Sequence, residues 1–351
     1  MARVRARGED VRRFIVEHVE RHSGDISRIA AEHFDITRQA VNKHLKRLVL
    51  EGCLTETGNT RNRVYRLAPL STWRQRFEIV PGLEEDVVWT RDVRPALGQL
   101  PDNVMNIWHH GFTEMFNNAV DHSEGRTIRV EVLRTAASTE MSVVDDGVGI
   151  FRKIQNELGL LDERHAILEL SKGKLTTDPR RHTGEGIFFT SRMFDSFEIL
   201  SGGSFFSHEF GQPDDWLLES KRDHDGTAVF MRLHNHTART TKKVFDAYVS
   251  GDDFDFSKTV VPVKLARYGN DSLISRSQAK RVLARVELFK TVLFDFREVD
   301  AIGQAFADEI FRVFAHEHPD IQLRAIHANS EVKRMIDRAS GHHSRDDSTG
   351  D

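Results

Sequence analysis

Short polar and glycine-containing segments in the middle of the chain have the residue types needed to hold a phosphorylated ligand with a metal ion. Glu114 and Asn118 are four residues apart in a stretch with helical periodicity, so their side chains share one face of the expected helix. An amide oxygen is a hard ligand of the kind that Mg²⁺ accepts, and a carboxylate one turn away can take a proton from an attacking water or hydroxyl. Two glycine pairs follow, Gly147 with Gly149 and Gly184 with Gly186, which allow a backbone to approach a ligand closely.

The elements that must position these residues alternate between helix and strand. Segment 101–123 predicts an amphipathic helix that carries Glu114 and Asn118, and a strand over 139–145 ends at Asp145. A polar segment over 151–183 precedes the second glycine pair, which opens another helix where free amides favour phosphate. Gly226 and Thr227 begin a later strand.

In this order, the segments resemble the motifs of the gyrase, chaperone, histidine kinase and MutL (GHKL) ATPase superfamily over about 150 residues. The resemblance implies a Bergerat-type α/β sandwich that binds ATP with Mg²⁺, with Glu114 as the catalytic base and Asn118 as the metal ligand. It makes Asp145 the acceptor for the adenine amine and 151–183 the ATP lid, in which Lys172, Lys174, Arg180 and Arg181 could reach phosphates. The implied nucleotide contacts are Asn118, Asp121, Asp145, Gly147, Gly149, Ile150, Thr183, Gly184, Gly186, Ile187 and Thr227.

The residue at position 114 separates activities within that superfamily. Sensor histidine kinases usually have Asn at this position, whereas hydrolysing members and the serine kinases that act as anti-sigma factors have Glu. The run HEHPD at 316–320 also lacks the basic residue of a histidine phosphoacceptor motif. ATP hydrolysis and transfer to a protein serine or threonine are therefore both open, and binding without turnover is a third reading.

Residues 1–67 form a basic block of three predicted helices and a hairpin. Residues 1–66 contain 14 Lys and Arg against 9 Asp and Glu, a net charge of +5, whereas the rest of the chain carries −9. Thr37 is a suitable cap for the third helix, and GNTRN predicts the hairpin turn. The order resembles a winged helix-turn-helix, which implies that the third helix enters the major groove of duplex DNA. The implied DNA contacts are Arg38, Gln39, Asn42, Lys43 and Lys46 on that helix and Arg61 and Arg63 on the wing. A block that makes only protein contacts is the alternative.

The pattern restarts after His236. Strands at 259–267, 291–296 and 321–327 alternate with helices at 275–288, 302–316 and 330–338, which predicts a small, mostly parallel sheet. This part resembles the STAS-type fold of anti-sigma-factor antagonists, in which a Ser or Thr at the start of one helix is phosphorylated. Gly303, Gln304 and Ala305 hold the matching positions and have no hydroxyl, so a docking or self-regulating module is the better interpretation.

The expected fold is therefore multidomain: a mostly α winged helix, a Bergerat-type α/β sandwich and a small STAS-like α/β domain. The expected boundaries are 1–67, a linker at 68–83, 84–234, a connection at 235–258, 259–339 and a disordered tail at 340–351. The residues before the first helix, which we expect over 9–22, are interpreted as a flexible arm. The single cysteine, Cys53, indicates a reducing compartment, and no apolar run approaches the roughly 18–20 residues of a membrane span, so a cytoplasmic protein is expected.

Together these patterns predict an ATP-binding and ATP-hydrolysing regulator that binds DNA through residues 1–67. Its nucleotide state would control DNA binding or the binding of a protein partner through the STAS-like domain. A homodimer is compatible with this function, because paired winged helices match a palindromic site. The alternative function is a protein serine/threonine kinase of anti-sigma-factor type that acts on a separate partner.

Overall fold

The computed structural model describes residues 2–59, 62–175, 184–211, 216–219, 225–249, 256–267 and 272–341. The helices are α1 (Ala2–His18), α2 (Ile26–Phe34), α3 (Arg38–Leu50), α4 (Glu85–Val88), α5 (Arg94–Leu97), α6 (Asp102–His122), α7 (Ile150–Leu158), α8 (Glu163–Lys172), α9 (Gly186–Met193), α10 (Thr241–Asp246), α11 (Arg276–Leu283), α12 (Gln304–Asp308), α13 (Ala315–Glu317) and α14 (Ser330–Ala339). The strands are β1 (Leu54–Thr57), β2 (Val64–Leu67), β3 (Ser71–Glu78), β4 (Thr127–Arg134), β5 (Ser138–Asp145), β6 (Ser196–Ser201), β7 (Ser204–Glu209), β8 (Trp216–Glu219), β9 (Thr227–His234), β10 (Lys258–Pro262), β11 (Thr291–Asp295) and β12 (Gln322–Ile326).

The first three helices and the β1–β2 hairpin surround a hydrophobic core of their own. It consists of Val11, Ile15, Val19, Ile26, Ala30, Ala31, Val41, Leu45, Leu48, Leu54 and Tyr65. The hydroxyl of Thr37 accepts a hydrogen bond from the amide of Ala40 and so caps α3, as its position predicts. Residues 2–8 are helical and belong to α1, so the flexible arm expected there is wrong.

The central part is built on one seven-stranded antiparallel sheet with strand order β3-β4-β5-β9-β6-β7-β8. Strand β3 lies inside the linker predicted over 68–83, where it pairs along its whole length with β4. Its side chains alternate, with Trp73 and Phe77 turned toward the core and Arg74 exposed beside Glu131 of β4. This segment is therefore an edge strand of the sheet.

Helix α6 is the main support of the sheet and carries the residues of greatest chemical interest. Trp108, Phe112 and Phe116 on α6 are fully buried against β4, β5 and β9. A Cβ added to Gly111 would lie 2.5 Å from the Phe194 ring, so the glycine lets this helix pack closely against the end of α9. The burial of this apolar face fixes the direction in which the opposite, polar face of α6 points.

The C-terminal part has a three-stranded parallel sheet with order β10-β11-β12, flanked by α11 to α14. The strands and helices predicted after residue 258 are all present, and α12 begins directly after Gly303. The predicted connection over 235–258 contains α10, whose Phe245 ring lies 4.3 Å from that of Phe189. The central and C-terminal parts share one continuous hydrophobic core, whereas the N-terminal core is separate.

The chain is thus a multidomain mixed α/β protein. Within the described ranges, none of the helices combines the length and the apolar composition that crossing a bilayer requires.

Candidate functional site

A cavity of about 300 Å³ lies beside α6, where the end of β5, the start of β9 and the start of α9 meet. It brings together eight of the predicted site residues: Glu114, Asn118, Asp145, Ile150, Gly184, Gly186, Ile187 and Thr227. The other lining residues are Met115, Ala119, His122, Ser123, Val143, Lys153, Ile154, Leu170, Leu175, Phe188, Ile199 and Val229. Residues separated by more than 100 positions in the sequence thus surround one space.

The lining face of α6 follows the helical repeat. Glu114, Asn118 and His122 recur at intervals of four and all contact the cavity. Asp121, which was also predicted to contact the ligand, is exposed beside the lining residues at the end of the helix. The structure therefore does not bring Asp121 to the cavity.

Asp145 is the buried acid of the cavity, with 7% of its surface exposed. Its Oδ1 accepts hydrogen bonds from the backbone amides of Gly147, at 2.9 Å, and Thr227, at 3.2 Å. Burial raises the pKa of the Asp145 carboxyl above its usual 3.8, although these two amides work in the opposite direction. A buried carboxylate that is costly to ionise gains most from a ligand that donates a hydrogen bond to it.

Glycine is required at particular positions in and around the turn after Asp145. A Cβ on Gly147 would lie 2.0 Å from the carbonyl oxygen of Ser123, and one on Gly226 would lie 2.1 Å from the carbonyl oxygen of Asp145. Gly149 and Gly226 also have positive φ angles, of 86° and 76°. Gly147 and Gly149 thus shape the wall without lining the cavity. Gly226, which is not among the predicted contacts, packs against the backbone of the same turn.

Neighbouring polar groups fix this turn. Both carboxylate oxygens of Asp146 accept hydrogen bonds from Thr127, and Oδ1 also accepts one from the amide of Arg126. The hydroxyl of Thr227 accepts a hydrogen bond from the amide of Ile150 at 3.0 Å. The start of α7 is therefore tied to the start of β9, next to Asp145.

The other end of the cavity lies at the N-terminus of α9. Gly184 has a φ angle of 72°, and a Cβ there would lie 2.4 Å from the backbone of Leu175. A Cβ on Gly186 would lie 1.9 Å from Oε2 of Glu114, so the first turn of α9 lies directly against this carboxylate. A helix N-terminus attracts negative charge, which suits both this carboxylate and a phosphate. The predicted contact Thr183 lies outside the described residues.

The described part of the segment predicted as a polar lid, residues 151–175, is largely helical, and its second helix is buried. It contains α7 and α8, and every residue of α8 from His165 to Lys172 is buried. Lys172, a candidate phosphate contact, is fully buried and its ammonium pairs with Glu169 at 2.6 Å, while Lys174 donates to the carbonyl of Leu288. Neither lysine is among the residues that line the cavity. Arg180 and Arg181 lie outside the described residues.

Lys153 is a cavity residue that the sequence analysis missed. Its ammonium donates to the carbonyl of His122 and to Oε1 of Glu124, both at 2.9 Å, which fastens α7 to the end of α6. Lys153 and Ile154 follow Ile150 by three and four residues, so the three side chains share one face of α7. The helical repeat after the first glycine pair therefore indicates that Lys153 lies beside Ile150.

The predicted DNA-contacting side chains lie on one helix and one hairpin. Five exposed residues are on α3: Arg38, Gln39, Asn42, Lys43 and Lys46. Arg63, on the hairpin, is 3.4 Å from Glu56 and is therefore partly neutralised within the hairpin. Arg61 lies outside the described residues.

Comparison with known proteins finds a family match in the C-terminal part of the chain. The model of a family described as a STAS-like domain of unknown function (DUF4325) matches residues 278–333. The search of curated proteins finds no significant match to the chain. The matched residues include β11, β12 and the helices between them, so the chain contains a STAS-like domain at its C-terminal end.

Proposed function

We propose that the chain is a DNA-binding regulator controlled by Mg²⁺ and ATP, with a winged helix in residues 1–67 and a Bergerat-type nucleotide domain in 84–234. One observation carries the nucleotide part of this proposal. Glu114, Asn118, Asp145 and the second glycine pair, Gly184 and Gly186, are far apart in the sequence and border one cavity of about 300 Å³. That is at the lower end of the size range typical of small-molecule sites, and its one buried acid is surrounded mainly by apolar side chains.

The chemistry of the lining suits the two ends of a nucleotide. Asp145 offers a buried acceptor for the adenine amine, among apolar residues such as Val143, Ile199 and Val229 that suit a flat base. At the other end, the amides that begin α9 suit phosphate oxygens, and the Asn118 amide oxygen suits Mg²⁺. When bound, the metal ion would neutralise phosphate charge. Glycine is required at position 186, because a Cβ there would collide with the Glu114 carboxylate.

Within this proposal, Glu114 is the general base. Its carboxylate lies against the start of α9, where the terminal phosphate is expected, and it shares a helix face with Asn118. From that place it can accept a proton from a water that attacks phosphorus. Slow hydrolysis would return the regulator to its nucleotide-free state.

Titration calorimetry with MgATP on the full chain tests the proposed pocket. We expect one saturable binding event per chain, which requires Mg²⁺ for full affinity. A folded protein that produces no binding heat with MgATP at several temperatures would contradict the proposal. With ATP labelled on the γ-phosphate, release as inorganic phosphate supports the ATPase, whereas transfer to a protein supports the serine/threonine kinase.

The surface of α3 supports the DNA-binding part of the proposal. The five predicted DNA contacts on this helix are exposed, and the net charge of residues 1–66 is +5. Arg47, next to them, pairs with Glu51 at 2.7 Å and so contributes less to the field. Since phosphates supply most of the binding free energy, a basic exposed helix is suited to duplex DNA.

We expect the double variant Arg38→Ala/Lys43→Ala to lose most of its binding to labelled duplex DNA. Binding should weaken steeply with salt in the wild type, and the logarithmic slope should fall by about 2 in this variant, since each lost phosphate contact removes about 0.9. Fluorescence anisotropy over a salt series measures this change. A control variant with the same change in net charge, Lys242→Ala/Arg312→Ala, should keep the wild-type slope. Equal slopes in all three proteins would mean that Arg38 and Lys43 make no phosphate contacts.

The STAS-like domain is, in this proposal, the part that receives or passes on the regulatory signal. Helix α12 begins directly after Gly303, and a Cβ on this glycine would lie 2.7 Å from Cα of Ile274, so this helix start is tightly packed. Residues 303–305 offer no hydroxyl for phosphorylation. A docking or self-regulating role is therefore proposed rather than that of an internal kinase substrate.

A further inference from the structure

A polar cluster around the fully buried Lys172 connects the wall of the candidate nucleotide cavity to the STAS-like domain. We call it the Lys172 junction, and it consists of Glu169, Lys172, Lys174, Thr259 and Arg285. The Lys172 ammonium donates to Oε1 of Glu169 at 2.6 Å and to the carbonyls of Arg281 and Ala284 at 3.0 and 2.8 Å. All three ammonium protons thus have an acceptor, which offsets the cost of burying the charge.

The STAS-like side contributes Arg285, which lies between α11 and β11. Its guanidinium is 3.3 Å from Oε2 of Glu169 and donates to the carbonyl of Lys174. In addition, the hydroxyl of Thr259, on β10, donates to the carbonyl of Lys172 at 2.6 Å. The backbone from 172 to 174 is therefore held from outside the nucleotide domain, by groups more than 80 residues later in the chain.

The held segment is also part of the cavity wall. Leu170 and Leu175, on either side of it, line the cavity, and the amide of Leu175 donates to the carbonyl of Gly184, another lining residue. Gly173 has a φ angle of 81°, and a Cβ there would lie 2.7 Å from the Phe256 ring, so the segment is tightly packed. Phe188, which also lines the cavity, packs on Phe256 with ring centroids 4.5 Å apart.

We propose that Arg285 is a positioning residue for the nucleotide site, through which the STAS-like domain sets the shape of the wall at Leu175 and Gly184. This inference rests on the proposed ATP binding. A protein that binds the STAS-like domain and moves the end of α11 would then change nucleotide affinity, and the coupling would be reciprocal. The two domains share one hydrophobic core, so such a movement would repack side chains in both of them.

The variant Arg285→Asn tests the junction. Arg285 has a φ angle of 61°, which Asn adopts more readily than most residues, so the backbone should be kept while both long-range contacts are lost. We expect the Kd and the KM for MgATP to rise about tenfold, while kcat stays within about twofold, since Glu114 is untouched. Arg285→Lys keeps the charge and one donor, and it should recover part of the affinity.

The control is Arg312→Asn, which removes an exposed arginine contact with Asp308 elsewhere in the STAS-like domain and should leave KM unchanged. A purely structural role for Arg285 predicts a lower melting temperature and fewer active molecules at an unchanged KM. That result, or wild-type Kd and KM in folded Arg285→Asn, would overturn the inference. Absence of MgATP binding in the wild type would instead contradict the proposed function itself.

Discussion

Glu114→Gln should bind MgATP with an affinity close to that of the wild type and hydrolyse it at least about a hundredfold more slowly, because general-base catalysis contributes about 10²–10⁴ to such a rate. The amide keeps the size of the side chain and cannot accept the proton of the attacking water. The Glu114 carboxylate lies against the first turn of α9, where the terminal phosphate is expected. Replacing the carboxylate should therefore slow hydrolysis rather than weaken nucleotide binding. Calorimetry for binding and phosphate release for turnover separate the two effects.

The matched control is Glu157→Gln, the same chemical change at an exposed position of α7. It should hydrolyse ATP at the wild-type rate. If Glu114→Gln also turned over normally, the assignment of the base would be wrong, although the binding site could remain. If Glu114→Gln failed to bind at all, Glu114 would have a structural role in the cavity.

Asp145→Asn should weaken MgATP binding by about a hundredfold, close to 2.7 kcal/mol, which is typical of a buried hydrogen bond to a charged group. Oδ1 of the new amide can still accept from Gly147 and Thr227. Its NH₂ group would then face the adenine amine, so that two hydrogen-bond donors would oppose each other. Calorimetry with the wild type, with Asp145→Asn and with the exposed control Asp102→Asn measures this loss.

The affinity of the wild type should also depend on pH. Burial raises the pKa of Asp145 above 3.8, so protonation competes with the ligand as the pH falls through this raised value. Binding should therefore be strongest above that pKa and weaken below it, and Asp145→Asn should lack the step that belongs to this group. The effect on folding stability has the opposite sign. The raised pKa of Asp145 favours the folded, protonated protein at low pH, and this contribution to the free energy of unfolding is lost as the pH rises through the folded-state pKa. The nucleotide-free Asp145→Asn protein should accordingly melt no lower than the wild type at neutral pH.

Local patterns in the sequence were sufficient for the helix and strand that carry most of the candidate site. The apolar repeat of α6 predicted a helix over 101–123, against an observed Asp102–His122, and the alternation before Asp145 predicted β5. Asp145, Gly184 and Thr227 come to one cavity because each lies at the end or the start of a helix or strand: Asp145 ends β5, Gly184 precedes α9 and Thr227 begins β9. The strands and helices of the STAS-like domain were predictable for the same reason, since each has a clear period and a turn at both ends.

Contacts between distant segments explain what the sequence did not show. Pro69 and Pro81 flank β3 and make it resemble a linker, whereas the strand that pairs with it in the described part of the chain is β4, about 50 residues later. A lysine in a polar stretch predicts a solvated side chain, yet Lys172 is buried because carbonyls of residues 281 and 284 complete its coordination. Asp121 had the right spacing from Glu114, but the cavity does not extend to it.

The position of β9 has a consequence for biosynthesis. In the strand order, β3-β4-β5 and β6-β7-β8 are separate antiparallel groups, and β9 joins them although it is the last of the seven to leave the ribosome. Until residue 234 has emerged, β5 and β6 each present an unpaired edge, which invites pairing with another nascent chain. The acid at the end of β5 meets Thr227 only when β9 inserts, so the cavity forms in the same step that closes both edges.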